Sequence, residues 1–461
     1  MKRITYIMPG ILLTVIAISV MLTIGISRLP ITQETSLTVL NNQGQVMAEL
    51  SSPQDLREDA RRAYLEYVID EAAWVFAKQN AVTQEEAVDL LFKSNCVLKT
   101  AFDPAVFAAM EKAGEKWGDS FSIGCAMIDL QGNLVAIYST PDADNQARLQ
   151  TSPYSTLKPL SVYAPAFEAG IAHWSMRYED SPYKQLPPES GGYDWPSNAS
   201  GTYSREKVFM HQAVKNSLNT VAVKSLANLG VAPAIAFLRG NFPLNLDTEA
   251  MRLTQEGEEE IIGNIALGHL QTGVSTIDMA GCYQIFATGG KYTEFAALTG
   301  ILDSEGFQLY NRKTTSYQAI SPETADIVRL MLQGLASPGG TGEAAFCQSV
   351  EVAGQTGIQD ERGVNWFVGV TPSYSCAVRH GYNSENLAPE IFSAIMEEIY
   401  AGSEKPVAFE NYGEIVEIQY CTQSAMAATD ACPATQVGYY AANTQLIPCT
   451  HHATSQSEKE R

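Results

Sequence analysis

The amino-acid sequence predicts an α+β domain, with helices packed on an antiparallel sheet, behind an N-terminal transmembrane helix. A hairpin pattern at 122–139, helical spacing of apolar residues at 155–170 and a second strand-rich region at about 351–382 support the domain. They give a strand pair, central helices and returning strands in chain order. The transmembrane helix is predicted at 4–26, which carries no Asp, Glu, Lys, Arg or His and can cross a bilayer of roughly 30 Å.

The first residues indicate how that helix would be oriented. Lys2 and Arg3 precede the apolar run, and positive charges favour the cytoplasmic side of a membrane. A cleaved signal peptide is the alternative, but the run exceeds a signal core of about 7–15 residues and no Ala-x-Ala type of cleavage site is visible. We therefore expect a single-pass protein of the cell membrane, with 1–3 in the cytoplasm, 4–26 in the membrane and the rest outside the cytoplasm.

Composition limits the classes of partner and cofactor. The 461 residues carry a formal net charge of −21, so a nucleic acid would be repelled. None of the eight cysteines lies in a Cys-x-x-Cys pattern, and the six histidines show no zinc-ligand spacing such as His-Glu-x-x-His. The sequence therefore predicts no metal site and no cofactor, and it leaves the pairing of the cysteines open.

Residues 27–116 are predicted to form an extracytoplasmic connector with helices. The run 36–50 indicates two short strands around an Asn-Gln-Gly turn. From about residue 55 the pattern is helical, with a capping box at Thr83 and Glu86. Asp103 offers an N-cap, because a proline follows it at the first helical position.

The first pattern that carries chemistry is S-T-L-K, which ends at Lys158. It places the hydroxyl of Ser155 and the amine of Lys158 three residues apart, on one face of a helix. A serine hydroxyl becomes a nucleophile when a neighbour accepts its proton, and a lysine can do so when burial lowers its pKa. The pattern alone is weak, because S-R-E-K at 204–207 matches it equally well. We interpret that second copy as a solvated helix start.

Two downstream segments strengthen the first pattern. Ser217 and Asn219 lie in the run NSLNT, and Thr356 lies in the run VAGQTGIQDERGVNWFVGVTP. A second serine can relay a proton and an asparagine can hold a substrate amide. A threonine hydroxyl on a strand can bind a carboxylate. Taken together and in this order along the chain, S-T-L-K and these two segments indicate a nucleophile site more strongly than any one of them alone.

Together these segments resemble the bifunctional (class A) penicillin-binding proteins of the serine β-lactamase superfamily. TSPYSTLKPLSVYAPAFEAG is similar to their S-x-x-K helix, and AVKNSLNTVAVKSLANLG to their S-x-N segment. SPGGTGEAA resembles the turn before the third motif, AGQTGIQDERGVNWFVGVTP the third-motif strand, and CTQSAMAATDACPATQVGYY the C-terminal extension. The resemblance implies the penicillin-binding, β-lactamase-like transpeptidase fold, with a transpeptidase domain at 117–402 and a C-terminal extension at 403–461.

The resemblance also implies a role for each matched residue. These roles are Ser155 as nucleophile, Lys158 as base, Ser217 as proton relay, Asn219 in substrate binding, Thr356 in carboxylate recognition, and the backbone N–H groups of Ser155 and Ile358 as the oxyanion hole. The substrate-binding strand then consists of Gln355, Thr356, Gly357 and Ile358.

The third motif departs from the family at two positions. Gln355 replaces the usual lysine, and Ile358 replaces the usual threonine. A cation aimed at the substrate carboxylate contributes about 1.5–3 kcal/mol, so a neutral amide is expected to weaken substrate and penicillin binding about tenfold or more. A second Q-T-G at 271–273 lacks the continuation NWFVGVTP, which marks Gln355 as the family position.

The resemblance implies a peptidoglycan D,D-transpeptidase or carboxypeptidase. Ser155 would form an acyl-enzyme with D-Ala-D-Ala stem peptides and with β-lactams, and other cell-wall synthesis proteins are candidate partners. The alternative is a catalytically weak or inactive homologue that acts as a cell-wall scaffold or sensor. Gln355 motivates it, as does the expected lack of a glycosyltransferase domain, since roughly 30–40 residues between anchor and helical connector are too few for one. A β-lactamase or β-lactam receptor is a third interpretation, against which the S-x-N motif and the tail argue.

Four further residues are assigned from their surroundings alone. Trp366 and Phe367 lie in a strand and are predicted to be core residues. Cys282 lies in an apolar helix and is predicted to be a buried thiol. His380 is predicted to be a surface histidine.

Overall fold

The computed structural model describes residues 36–452, except for 119, 142–144, 186, 188, 190–191, 359–362 and 382–384. The predicted anchor at 4–26 lies outside the described residues. Within the described part of the chain, no single helix combines the length and the hydropathy that a membrane span needs. Two consecutive helices, Asn219–Leu229 and Val231–Asn241, reach both together but meet at an angle of 89°.

The helices and strands are numbered in chain order. The strands are β1 Leu37–Leu40, β2 Val46–Leu50, β3 Val97–Thr100, β4 Ile123–Asp129, β5 Leu134–Ser139, β6 Arg177–Glu179, β7 Lys184–Gln185, β8 Asp194–Trp195, β9 Lys207–Phe209, β10 Lys291–Thr293, β11 Leu298–Leu302, β12 Gln308–Asn311, β13 Ser316–Gln318, β14 Ala353–Ile358, β15 Asn365–Val370, β16 Tyr374–His380, β17 Ile415–Cys421 and β18 Thr435–Ala441. The α-helices are α1 Arg62–Asn80, α2 Gln84–Lys93, α3 Pro104–Trp117, α4 Ala164–Glu168, α5 Met210–Lys215, α6 Asn219–Leu229, α7 Val231–Asn241, α8 Asp247–Glu256, α9 Glu258–Leu267, α10 Thr276–Tyr283, α11 Pro322–Ala336 and α12 Ala388–Ile399.

The main sheet is antiparallel, as predicted, and has the strand order β14-β15-β16-β4-β5. Helices cover both of its faces. On one face the Ser375 hydroxyl of β16 donates to the Ala280 carbonyl of α10. On the other face Phe367 of β15 packs against Phe392 of α12, with ring centroids 4.8 Å apart. This two-sided cover explains why every residue of β15 is buried.

A second five-stranded sheet joins the N-terminal strands to a later part of the chain. Its order is β12-β11-β3-β1-β2, so strands at 298–311 extend a sheet that begins with the predicted hairpin at 36–50. The strand β3 is a correction, because it lies in the stretch predicted to be helical. It has four residues and pairs in parallel with β1, so no local turn signal reveals it. The predicted domain boundaries 27–116, 117–402 and 403–461 stay predictions.

The predicted helix starts at Thr83 and Asp103 are confirmed. The Thr83 hydroxyl accepts the Glu86 N–H at 3.2 Å, and the Glu86 carboxylate accepts the Thr83 N–H at 2.9 Å. The Asp103 carboxylate accepts the Ala105 N–H at 2.9 Å at the start of α3. Each cap satisfies N–H groups that have no acceptor inside the helix.

The structure confirms three of the four single-residue assignments and corrects one. Trp366, Phe367 and Cys282 are fully buried. His380 is also fully buried, and the predicted surface position is wrong. Its ring Nε2 accepts the Leu387 N–H at 2.9 Å, and burial lowers the pKa of the imidazole to about 4.

Candidate active site

The segment that carries Ser155 is helical, as predicted, but in three geometries. A 3-10 turn at Tyr154–Leu157 leads into a π-helical turn at Pro159–Tyr163 and then into α4. The Lys158 N–H bonds to the Ser155 carbonyl, and side chains three residues apart in a 3-10 turn lie above one another. Ser155 and Lys158 therefore share one side of the turn.

The 3-10 turn is held from two sides of the core. The Tyr283 hydroxyl of α10 donates to the Thr156 carbonyl, and the Tyr154 N–H donates to the Gly268 carbonyl at 3.1 Å. Ser155 itself is half-buried. Within the described part of the chain its hydroxyl has no hydrogen-bond partner, so it is available to a ligand or to the neighbouring amine.

The amine of Lys158 is fully buried and fully hydrogen-bonded. It donates to the Asn219 Oδ1 at 2.7 Å, to the Ser217 carbonyl at 2.9 Å and to the Ser217 hydroxyl at 3.3 Å. All three acceptors are neutral, so no carboxylate among them stabilises the ammonium form. Burial lowers the pKa of Lys158 to about 7.

Ser217 sits in a strained turn between α5 and α6. Its φ is +50°, in the left-handed region that non-glycine residues rarely adopt. The turn is closed by a hydrogen bond from the Ser217 N–H to the Val214 carbonyl at 2.9 Å. Strain of this kind costs about 1–3 kcal/mol and occurs often at functional sites. It aims both the carbonyl and the hydroxyl of Ser217 at Lys158.

Two residues that sequence reasoning missed hold Asn219 in place. The Asn198 Oδ1 accepts the Asn219 N–H at 3.0 Å, and the Asn198 Nδ2 donates to Asp180 at 2.7 Å. The Asn219 Nδ2 donates to the Ser197 carbonyl at 2.7 Å. Asn198 and Asp180 are both buried. No local spacing links position 198 to position 219, so the sequence offered no signal for this contact.

Gln355 reaches the same cluster from β14. Its Nε2 donates to the Ser217 hydroxyl at 3.0 Å. Its side chain is fully buried, and its Oε1 has no hydrogen-bond partner in the described residues. Ser217 therefore accepts hydrogen bonds from both Lys158 and Gln355, which leaves its own O–H proton free to donate.

The rest of the third motif brings the strand against the 3-10 turn. A Cβ on Gly357 would lie 2.6 Å from the Pro153 carbonyl oxygen and 3.1 Å from the Thr156 methyl group, so only glycine fits. Ile358 ends β14 and is 45% exposed. Strand alternation places Thr356 on the opposite sheet face from Gln355, on the side of Phe367. The structure therefore joins Lys158, Ser217, Asn219 and Gln355 by hydrogen bonds, whereas Thr356 stands apart from that group.

The second copies of the two motifs lie elsewhere. S-R-E-K at 204–207 is exposed, as predicted, but it leads into the strand β9 and does not start a helix. Gln271 is exposed in a loop, where its N–H donates to Glu249. The S-R-E-K copy therefore has no buried amine beside its serine, and the Q-T-G copy does not lie on a strand.

The comparison with known sequences decides the family. A sequence family described as the penicillin binding protein transpeptidase domain matches residues 123–397, which is more than half of the chain. The chain belongs to this family. The match confirms the predicted recognition, and the matched range contains Ser155, Lys158, Ser217, Asn219 and the third motif.

Curated relatives show the same likeness over part of their length. Penicillin-binding protein 1A of Clostridium botulinum is 32% identical over 243 residues, which cover 52% of this chain and 28% of the relative. Penicillin-binding protein 1F of Bacillus subtilis is 30% identical over 247 residues, which cover 52% of this chain and 31% of the relative. The chain thus matches less than a third of the length of these relatives.

Solved structures confirm the predicted fold of the domain. The D,D-transpeptidase domain of a peptidoglycan glycosyltransferase from Eggerthella lenta superposes with a TM-score of 0.63 at 18% identity, over 80% of this chain and 98% of that one. The PonA1 protein of Mycobacterium tuberculosis, in complex with penicillin V, gives 0.62 at 21% identity, over 77% and 98%. At these identities the likeness establishes the fold.

Proposed function

We propose that this protein is a peptidoglycan D,D-transpeptidase or carboxypeptidase that works through a Ser155 acyl-enzyme. One observation carries the proposal. The buried Lys158 amine shares a turn with Ser155, and it is held by Ser217 and Asn219 with no carboxylate among its partners. With a pKa of about 7, half of these amines are neutral near pH 7 and can accept a proton.

The proposed reaction begins at the Ser155 hydroxyl. Lys158 takes its proton while the Ser155 Oγ attacks the carbonyl carbon of the D-Ala-D-Ala peptide bond. The backbone N–H groups of Ser155 and Ile358 stabilise the negative charge on the carbonyl oxygen. The C–N bond then breaks, and Ser217 passes a proton to the nitrogen of the departing D-alanine. An amine or water completes the cycle by accepting the acyl group and releasing Ser155.

Two features of Ser217 support the relay. Its oxygen already accepts hydrogen bonds from Lys158 and Gln355, so its proton points away from both. Its contact with Lys158 also gives the proton a path from the base to the leaving group. The Asn219 Oδ1 accepts a hydrogen bond from the Lys158 amine, and the Asn219 N–H in turn donates to the Asn198 Oδ1.

Gln355 is expected to make the same reaction slower. Its amide keeps the hydrogen bond to Ser217 but brings no positive charge toward a substrate carboxylate. The missing charge-assisted bond is worth about 1.5–3 kcal/mol, so acylation is expected to be about tenfold or more slower than with lysine.

A fluorescent penicillin tests this proposal. The purified chain should be labelled covalently, and Ser155→Ala should abolish the label. Ser204→Ala is the matched control, because it alters the exposed S-R-E-K copy, and it should leave labelling unchanged. The proposal fails if Ser155→Ala is labelled as strongly as the unaltered chain.

The second candidate is a non-catalytic relative that binds muropeptide as a scaffold or sensor. The buried Oε1 of Gln355, which has no hydrogen-bond partner among the residues that the structure describes, favours it, because a site selected for turnover is expected to satisfy such a group. This candidate predicts binding of a D-Ala-D-Ala peptide in calorimetry without any covalent penicillin label. Measurable nitrocefin turnover would instead favour a β-lactamase.

We also propose that the protein is a single-pass protein of the cell membrane, anchored through 4–26. Cell-wall synthesis proteins in the same membrane are then candidate partners. Deletion of 1–26 should move the protein from the membrane pellet to the soluble fraction after cell lysis. Retention of the shortened chain in the pellet after a salt wash contradicts this proposal.

A further inference from the structure

Three thiols and an imidazole meet beside the β17–β18 hairpin. The ligand atoms of Cys421, Cys449 and His452 all lie within 4.8 Å of one another. The Cys432 side chain adjoins the thiols of Cys421 and Cys449. We call these four residues the thiol cluster, and it lies outside the site built around Ser155.

The fold assembles the cluster from three segments of the tail. Cys421 is the last residue of β17, and Cys432 closes a turn through its N–H bond to the Thr429 carbonyl at 2.9 Å. The Cys449 N–H donates to the Ala427 carbonyl at 2.8 Å, and His452 follows Cys449 after two intervening residues. These backbone bonds, and not the thiols themselves, bring the side chains together.

The surroundings of the cluster favour a ligand. The Nε2 of His452 is buried, and it has no hydrogen-bond partner within the described part of the chain. The Ser424 hydroxyl donates to the Cys449 sulfur at 3.1 Å, and the Thr429 N–H donates to the Cys432 sulfur at 3.3 Å. Donors of this kind orient and stabilise metal-bound thiolates.

The hairpin that carries the cluster buries Tyr420 and Tyr440 against the rest of the chain but leaves other apolar side chains on and beside it open to solvent. Val416, Val437 and Ile447 are 36%, 44% and 69% exposed. A two-stranded hairpin is marginally stable in water, and small units of this kind commonly need a disulfide or a metal. A disulfide would use two of the three thiols and leave both the third and the imidazole unused.

We propose that Cys421, Cys432, Cys449 and His452 bind one zinc ion as a structural site. The ion forms three Zn–S bonds and one Zn–N bond, and the three thiol protons pass to solvent. Three thiolates and one imidazole suit zinc, which prefers four soft or borderline ligands in a tetrahedron. All four ligand positions are filled by protein side chains, so the ion would stabilise the fold of the tail and would have no open position for a substrate.

Metal analysis of the full chain tests this proposal. The chain is purified with reductant and zinc, and excess metal is then removed by dialysis. The expected content is about one zinc ion per chain, and Cys432→Ser and His452→Gln should each lower it to below about 0.2. Cys347→Ser is the matched control, because Cys347 is a buried thiol beside Ser393, and it should keep the zinc.

Two readouts remain decisive if a variant does not fold. Cobalt substituted into the unaltered chain should give the visible bands of a tetrahedral thiolate site. Mass analysis under denaturing, non-reducing conditions should find all eight cysteines as thiols after zinc is removed. Zinc below about 0.2 per chain after reconstitution, or a disulfide within the cluster, would overturn the proposal. The outcome does not depend on penicillin labelling, so the two proposals fail separately.

Discussion

Lys158 and Gln355 both donate a hydrogen bond to the Ser217 hydroxyl, but they differ in charge and in how fully their polar atoms are hydrogen-bonded. The Lys158 amine is a basic group whose three donors match three acceptors. Gln355 is a neutral amide with one atom satisfied and the other buried without a partner in the described residues. In the proposed mechanism the site thus keeps the groups that would move a proton, whereas a neutral amide replaces the group that would attract a carboxylate.

The comparison separates catalysis from recognition. If this separation is correct, a substitution at Lys158 should stop acylation, whereas a substitution at Gln355 should change the acylation rate without abolishing it. The predictions below test this separation, and they run from the largest expected effect to the smallest.

Lys158→Met should give the largest loss. It removes the group that the proposed mechanism uses to accept the Ser155 proton, and general-base catalysis contributes about 10²–10⁴-fold. The measurement is the second-order rate of acylation by a fluorescent penicillin. Lys207→Met is the control, since Lys207 is the exposed lysine of the second S-x-x-K copy. An unchanged rate in Lys158→Met would remove Lys158 from the mechanism.

Gln355→Lys should raise acylation about tenfold or more, because it adds a charge-assisted bond to the β-lactam carboxylate. Gln271→Lys adds the same charge at the exposed second Q-T-G and should leave the rate unchanged. If Gln355→Lys labels no faster, the substitution at position 355 does not limit the site.

Acylation should rise with pH through the pKa of Lys158. The base works only when neutral, and its pKa of about 7 means that the neutral fraction increases about tenfold between pH 6 and pH 8. In Gln355→Lys a second cation near Ser217 should lower that pKa further and move the midpoint to lower pH. A flat profile, or a midpoint near pH 10, contradicts the burial argument.

Asn198→Ala should give the smallest effect, a several-fold loss of acylation together with lower stability. It leaves the N–H groups of Asn219 and Thr220 and the Asp180 carboxylate short of a partner, which costs about 1–3 kcal/mol. Urea unfolding and the acylation rate measure the two parts. Full acylation with reduced stability would show that Asn198 supports the fold alone.

The sequence predicted the parts of the fold that local patterns encode. The caps at Thr83 and Asp103 and the hairpin at 122–139 depend on neighbours within a few residues, and all three are present. Strand β3 was missed because it has four residues and pairs with a distant parallel strand. His380 was placed on the surface because Phe121, whose ring packs against the imidazole, is distant from it in sequence.

In the candidate site, too, the residues in local sequence motifs were predicted and those brought in by distant contacts were missed. Ser155, Lys158, Ser217, Asn219 and Gln355 were found because each lies in a short motif and the motifs occur in the family's order. Asn198 and Asp180 belong to no motif, and only the folded chain brings Asn198 to Asn219 and Asp180 to Asn198. The thiol cluster left one weak signal, Cys449 and His452 three positions apart, and its other ligands are too widely spaced to be recognised as zinc ligands.

Peptide mapping after reaction with penicillin tests the central claim most directly. The claim is that the buried Lys158 amine makes Ser155 the nucleophile. Mass spectrometry of the digested adduct should place the penicilloyl group on Ser155, and Lys158→Met should lose that adduct while remaining folded by circular dichroism. An adduct on any other residue, or one that persists unchanged in folded Lys158→Met, would contradict the account.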